Sequence, residues 1–290
     1  MPLPELYIMA GPTASGKSAK ALDLAQRVNG VIINADAMQI YREVPILTAQ
    51  PDQNALSAVP HTLYGVFDPA ESGSTAQWSA LAQQKITETC AAGQIPILVG
   101  GTGLYFKTLL DGISNIPITN KEIKAKIKSE LDSVGLAGIR AKLANSDPDS
   151  YARLSPNDCQ RQLRAYEVVL ATGKPLGWWH TRSQRSGIRD QYDIKVDVLM
   201  PDRAELYRRC DQRFLSMLQQ GALDEVRALL ARQLDPALPA MKIIGVRELG
   251  AYLRDEWSLD EAIAKAQQAT RNYAKRQMTW FRNQKLETGS

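Results

Sequence analysis

The sequence predicts an α/β fold, a parallel sheet flanked by helices, together with a separate helical insertion. Three observations carry this expectation. Short apolar runs alternate with helical patterns through the first third of the chain. The strand signals vanish between residues 113 and 174, where only helical patterns remain. One more apolar run then returns at Ile194–Leu199, and the rest of the chain is helical in pattern.

Taken in order, Leu6-Tyr7-Ile8-Met9-Ala10 reads as a buried strand and Lys17–Arg27 as the helix after it. Val31–Asn34 is a second strand, Ser74–Ala92 a long helix, and Ile95–Val99 a third strand ending at Gly100-Gly101. His61 precedes a further short strand and is read as structural. The insertion, 113–174, is expected to hold helices at Lys121–Ser133, Leu136–Ala144 and Asp158–Ala171. Turn signals separate them at Asn115-Ile116-Pro117, Ser146-Asp147-Pro148 and Ser155-Pro156-Asn157. Residues 1–112 and 175–290 then form the core. Its later helices are expected at Arg203–Gln220, Leu223–Gln233, Ile243–Asp255 and Ser258–Gln284.

At 290 residues, 44% hydrophobic and 23% charged, the composition is that of an ordinary globular protein. No apolar run approaches the ~20 residues needed to span a bilayer, and no signal peptide is expected. Cys90, Cys159 and Cys210 are widely spaced, which argues for a reducing cytosol and against a disulfide framework or a zinc site. His61 and His180 are too isolated for a metal or a nucleophilic site. Trp178-Trp179 fits either core packing or a hinge contact. The net charge of +4 singles out no partner, but its distribution is uneven. Lys265, Arg271, Lys275, Arg276, Arg282 and Lys285 follow one another with no acidic residue between them. Such a block fits a phosphate backbone, and equally a solvated helix face.

Gly11-Pro12-Thr13-Ala14-Ser15-Gly16-Lys17-Ser18 fits G-x-x-x-x-G-K-[ST] between a strand and a helix. In such a loop, glycines let successive N–H groups converge on phosphate oxygens, and the helix N-terminus adds a favourable dipole. Lys17 supplies a cation, and the Ser18 hydroxyl can hold a magnesium ion. The fold is therefore expected to be P-loop NTPase-like. The loop does not fix the reaction, since nucleotide-binding kinases, ATPases and GTPases share it. An NTPase usually ends a neighbouring strand with a metal-binding Asp. Here that strand ends in Val99-Gly100-Gly101-Thr102, without a carboxylate. The second strand is instead followed by Asp36, at the carboxyl end of the sheet beside the phosphate loop, where such folds build their sites. From local sequence Asp36 fits a metal ligand, a base or a helix N-cap.

Six motifs occur in one order. They are the phosphate loop, Asp36-Ala37-Met38-Gln39-Ile40-Tyr41, Gly100-Gly101-Thr102-Gly103-Leu104-Tyr105, Asn157-Asp158-Cys159-Gln160-Arg161-Gln162-Leu163-Arg164, Lys242-Ile243-Ile244-Gly245-Val246-Arg247-Glu248 and Thr270–Arg282. Together they resemble the tRNA dimethylallyltransferase family from end to end. The chain departs from that pattern at Ala37, Cys159 and Val246, where Ser, Pro and Tyr are usual, and none of these changes removes a charge.

The resemblance implies a cytoplasmic, monomeric enzyme with no membrane partner. It would transfer a dimethylallyl group from dimethylallyl diphosphate to the N6 amine of the adenosine 3′-adjacent to the anticodon in tRNA. Gly11, Pro12, Thr13, Ala14, Ser15, Gly16, Lys17 and Ser18 would bind the diphosphate, with Mg2+ at Ser18. Arg213 would complete the clamp, with Arg209 as the alternative. The catalytic set is then Asp36, Thr13, Lys17 and Arg213, with Asp36 as general base. Asp36, Ala37, Met38, Gln39 and Thr102 would contact the adenosine, Gln39 at the adenine edge. Lys124, Gln160, Arg161, Gln162, Leu163 and Arg164 would bind tRNA from the insertion. Met241, Lys242, Ile243, Ile244, Gly245 and Val246 would add a further tRNA segment, as would the face shared by Arg271, Lys275, Met278 and Arg282. The rival readings are a P-loop small-molecule kinase and an RNA-binding NTPase.

Overall fold

The computed structural model describes residues 2–114, 116–117, 120–182, 187–284 and 286. The chain opens with β1 (Glu5–Ala10), α1 (Lys17–Arg27), β2 (Gly30–Asn34), α2 (Pro45–Thr48), α3 (Gln53–Ala58), β3 (His61–Thr62), α4 (Thr75–Ala91), β4 (Ile95–Gly100) and α5 (Gly103–Asp111). It continues through α6 (Lys121–Ser146), α7 (Pro148–Arg153), α8 (Cys159–Thr172) and α9 (Leu176–Arg182). It closes with β5 (Asp193–Val198), α10 (Arg203–Gln219), α11 (Ala222–Ala231), α12 (Val246–Leu253) and α13 (Leu259–Asn283). Among the described residues no helix is long and apolar enough to cross a membrane.

The strands form one parallel sheet in the order β3-β2-β4-β1-β5. Side chains alternate across it, as the period of two requires. Leu6, Ile8, Ile33 and Leu98 face α4, α5 and the C-terminal helices, while Met9, Ile32, Ile97 and Val99 pack on Ala21 and Ala25 of α1. Strands buried on both faces explain why they read as continuous apolar runs. Each fully buried aliphatic side chain contributes roughly 1.5–3 kcal/mol. The register aligns the strand ends: Ala10 pairs with Gly100, and Asn34 with Val99. The residues that follow β1, β2 and β4 therefore emerge side by side at the carboxyl end of the sheet.

The chain divides into two compact units, Met1–Asp111 with Gly187–Ser290, and Gly112–Ser186. The second unit runs past residue 174, where the sequence placed its end. The physical reason is α9. Leu176 N–H donates to the buried Asp147 carboxylate at 3.0 Å, and Leu176 packs on the cluster of Ile127, Ile139, Leu143, Ala165 and Tyr166. The Trp179 indole donates to Thr172 Oγ1 at 3.2 Å, and Trp178 lies edge-on to it. The two helices expected over 121–144 are segments of α6 on either side of Gly135, whose φ of 65° breaks the helical run. The expected helix at Ile243 starts later, at Val246, because Gly245 has φ of 101°, outside helical space. Asn115 and Lys285 lie outside the described residues.

Candidate active site

Three turns meet at this carboxyl end. The first is the phosphate loop after β1. Ser15 N–H donates to the Pro12 carbonyl at 3.2 Å, Lys17 Nζ donates to the same carbonyl at 3.1 Å, and Gly16 caps α1 at φ 90°. Burial pulls the Lys17 ammonium down to a pKa of about 8. Asp36 opposes that shift, and Arg213 adds to it.

The second turn carries Asp36, which is 9% exposed. Asn34 fixes it: Asp36 N–H donates to Asn34 Oδ1 at 2.8 Å, and Asn34 Nδ2 donates to the Asp36 and Leu63 carbonyls at 3.1 and 3.0 Å. The Trp78 indole donates to the Asn34 carbonyl at 2.8 Å and stacks on Tyr105, with ring centroids 4.1 Å apart. The Asp36 carboxylate accepts Met38 N–H at 3.0 Å through Oδ1. The third turn follows β4. Thr102 Oγ1 accepts Ala37 N–H at 2.9 Å, tying it to the second.

Thr13, Asp36, Cys210, Arg213 and Tyr273 line a single cavity of about 210 Å3. Met38, Leu47, Thr48 and the segment Lys242-Ile243-Ile244 also line it. Arg213, from α10, donates to Thr13 Oγ1, and burial lowers its pKa. Arg209 points elsewhere, into an ion pair with Glu205 at 2.7 Å. Tyr273 has its phenol pKa raised by burial, with Asp36 adding to the effect.

Other expected site residues take different positions. Gln39 donates both amide hydrogens to the Thr48 and Ala49 carbonyls, at 2.9 and 2.7 Å. It faces a second cavity, with Ser18, His61 and Tyr64, rather than the one holding Asp36. His61 is held by Nδ1 against the Val59 carbonyl at 2.9 Å. In the second unit, Lys124, Gln160, Arg161 and Arg164 are exposed. Gln162 and Leu163 correct the expectation of tRNA contact. Gln162 is fully buried and donates to the Ser155 and Pro156 carbonyls, and Leu163 packs on the unit's core. The helical period turns these two inward. Val246 is likewise buried, while Lys242 is exposed and Ile243, though buried, lines the Asp36 cavity. Met278 is buried against α10, so the face proposed for Arg271, Lys275, Met278 and Arg282 is not continuous. Arg271 is ion-paired with Asp211 at 2.6 Å.

Three residues with site roles escaped the sequence. Gln277 joins the phosphate loop to the turn after β4. Tyr273 lines the cavity from α13. Glu225, on α11, accepts Ile46 and Leu47 N–H groups at 2.8 and 2.9 Å, which holds α2 and thus the Leu47–Thr48 wall. Only the spacing of Tyr273 and Gln277 on one helical face offered a signal.

A family model described as IPP transferase matches residues 39–284, and one described as Isopentenyl transferase matches residues 4–62. A tRNA dimethylallyltransferase from Rhodospirillum centenum is 49% identical over 282 residues, 96% of this chain and 88% of that protein. The solved structure of a full-length tRNA isopentenylpyrophosphate transferase from Bacillus halodurans aligns with a TM-score of 0.68 at 34% identity, over 97% of this chain and 87% of that one. A eukaryotic dimethylallyltransferase, solved acting on tRNA, aligns with a TM-score of 0.82 at 28% identity, over 96% of this chain and 69% of that one. With sheet, phosphate loop and cavity in place, and relatives matching nearly its whole length, the chain belongs to the IPP transferase family.

Proposed function

We propose that this chain transfers a dimethylallyl group from dimethylallyl diphosphate to the N6 amine of the adenosine 3′-adjacent to the anticodon in tRNA, releasing diphosphate. The observation that supports this above all is that Thr13, Arg213 and Asp36 line one cavity. A cradle for a departing anion and a carboxylate that takes a proton are thereby within reach of one another. The kinase reading is not favoured, because β4 ends in Gly100-Gly101 where a metal-binding carboxylate would stand.

In the reaction the carbon–oxygen bond of the prenyl diphosphate breaks, and its electron pair leaves with the diphosphate. Lys17, Arg213 and the loop N–H groups other than those of Thr13 and Ser15 meet the growing negative charge. The amine nitrogen forms the new bond to carbon, and its proton passes to Asp36. Ser18 stands exposed on the first turn of α1, and among the described residues no cluster of three or more His, Cys, Asp or Glu could cage a metal. A single hydroxyl beside a phosphate site fits Mg2+, which is commonly held by substrate oxygens, waters and one or two protein groups. When bound there it would neutralise charge on the diphosphate.

The target adenine must leave its stack to enter the cavity, at a cost of a few kcal/mol. Exposed Lys124, Gln160, Arg161 and Arg164 are the residues we assign to holding the RNA. The Arg161 side chain is 76% exposed and lies 3.3 Å from the Asp158 carboxylate. Arg161→Ala is expected to weaken tRNA binding and to reduce the slope of log affinity against log salt by about 1. An unchanged slope removes Arg161 from the interface. On this reading the enzyme acts in the cytoplasm as a monomer, and sedimentation with and without tRNA tests the latter.

The Lys17 pKa of about 8 adds a pH dependence. Below that value the site holds an ammonium that attracts the diphosphate, and above it the charge is lost. Affinity for inorganic diphosphate is therefore expected to fall as pH rises through that region. Lys17→Arg, which keeps its charge, should remove the inflection. Parallel profiles for the two proteins would show that Lys17 does not titrate there.

The deciding experiment incubates the protein with radiolabelled dimethylallyl diphosphate, magnesium and tRNA, and separately with labelled ATP. Label transferred to tRNA is expected. Phosphate transfer or release from ATP without prenylation would replace this reading with a rival.

A further inference from the structure

Gln277 belongs to neither the phosphate loop nor the Asp36 turn, yet its side chain holds both ends of the cavity's architecture. Thr13 N–H donates to Gln277 Oε1 at 2.8 Å, and Gln277 Nε2 donates to the Gly101 carbonyl at 2.9 Å. The residue is 5% exposed. Gly101 directly precedes Thr102, whose hydroxyl holds Ala37 N–H beside Asp36. On the other side, Thr13 Oγ1 accepts from Arg213. One amide therefore connects the leaving-group end of the site to its proton-accepting end.

The fit around this amide is tight. A Cβ at Gly101 would stand 2.2 Å from Gln277 Nε2 and 3.2 Å from the Gly11 carbonyl oxygen. A buried amide needs partners, and many carbonyls would serve for stability alone. Both partners here are instead residues adjoining the reacting groups. By accepting Thr13 N–H, Gln277 also fixes the plane of a phosphate-loop peptide and directs that donor towards α13.

We propose that Gln277 is a positioning residue for prenyl transfer, setting the phosphate loop against the Gly101–Thr102 turn so that the breaking carbon–oxygen bond is aimed at the amine held near Asp36. The proposal rests on the transfer reading above. Its physical basis is that displacement of reacting atoms by about 1 Å can lower a rate about 100-fold.

Gln277→Met preserves length and apolar volume while removing both the acceptor and the donor. Its kcat for prenyl transfer is expected to fall about 100-fold, with KM for both substrates and the affinity for inorganic diphosphate changed by less than about threefold. The Thr13 amide should also lose protection against hydrogen exchange. Gln277→Asn keeps the amide but lacks the reach, so it should not rescue kcat. Gly101→Ala, by displacing Nε2, should cause a similar loss alone and much less in a Gln277→Ala background. A Gln277→Met kcat within about threefold of the parent, a loss carried wholly by KM, or strictly additive losses in that cycle would each overturn the proposal. Should Gln277→Met fail to fold, Gln277→Glu carries the test, since it retains an acceptor for Thr13 and replaces the donor to Gly101 by a buried carboxylate oxygen that the Gly101 carbonyl repels. A large kcat loss with the Thr13 amide still protected is expected there, and near-parental kcat overturns the proposal. A parent protein that leaves tRNA unprenylated sinks the transfer reading itself, and exchange at Thr13 still decides whether Gln277 holds the loop.

Discussion

Asp36→Asn is expected to lower prenyl transfer by about 10³-fold while leaving tRNA affinity within about threefold. Asn is the clean probe because the Asp36 carboxylate also accepts Met38 N–H at 3.0 Å, a bond that an amide oxygen retains. The turn therefore stays in place, along with the backbone bonds to Asn34, and only the capacity to take a proton is removed. Asp36→Ala should abolish transfer as well, but it also releases the turn. Single-turnover rates with saturating prenyl diphosphate, beside tRNA binding measured separately, check the prediction. Largely intact transfer in Asp36→Asn would mean that the amine loses its proton elsewhere.

Arg213→Met carries the second large effect, a fall in the single-turnover rate of about 10²–10³-fold, the usual consequence of removing a preorganised donor from a developing anion. Met keeps much of the side chain's apolar bulk in a wall that Phe214 and Met217 also line, so the loss should come from the missing charge and fork. Arg213→Lys is expected to recover only part of the rate. A single ammonium cannot reproduce a guanidinium that reaches Thr13 Oγ1 and still presents donors to the cavity. A parental rate in Arg213→Met would exclude this arginine from the leaving-group clamp.

The parts of the candidate site that local sequence marked are those built from one turn. The phosphate loop and Asp36 each follow a strand directly, and their meaning lies in a few adjacent residues. The sheet was legible for the same reason, since β1, β2 and β4 are apolar on both faces. What stayed hidden depends on distant partners. Gln277 acquires its role from Thr13, 264 positions away, and Glu225 from Ile46, 179 away. Gln162 and Leu163 show a different limit. A run of residues on a helix shares one motif but not one direction, and only packing against Tyr166 and its neighbours decides which face is inward. The end of the second unit was missed because what carries the unit past residue 174 is a long-range bond, from Leu176 to Asp147, with no local signal.

The separation between Thr13 and Gln277 also bears on when a newly made chain becomes competent. Ribosomes extend bacterial and eukaryotic chains at about 5–20 residues per second, so the anion-holding loop emerges roughly 13–50 s before the glutamine that fixes it. Until the helix carrying Gln277 leaves the exit tunnel and docks, the nascent polypeptide has a phosphate loop without its brace. The product therefore cannot act on the RNA adaptors of translation until Gln277 has been made and seated against the loop.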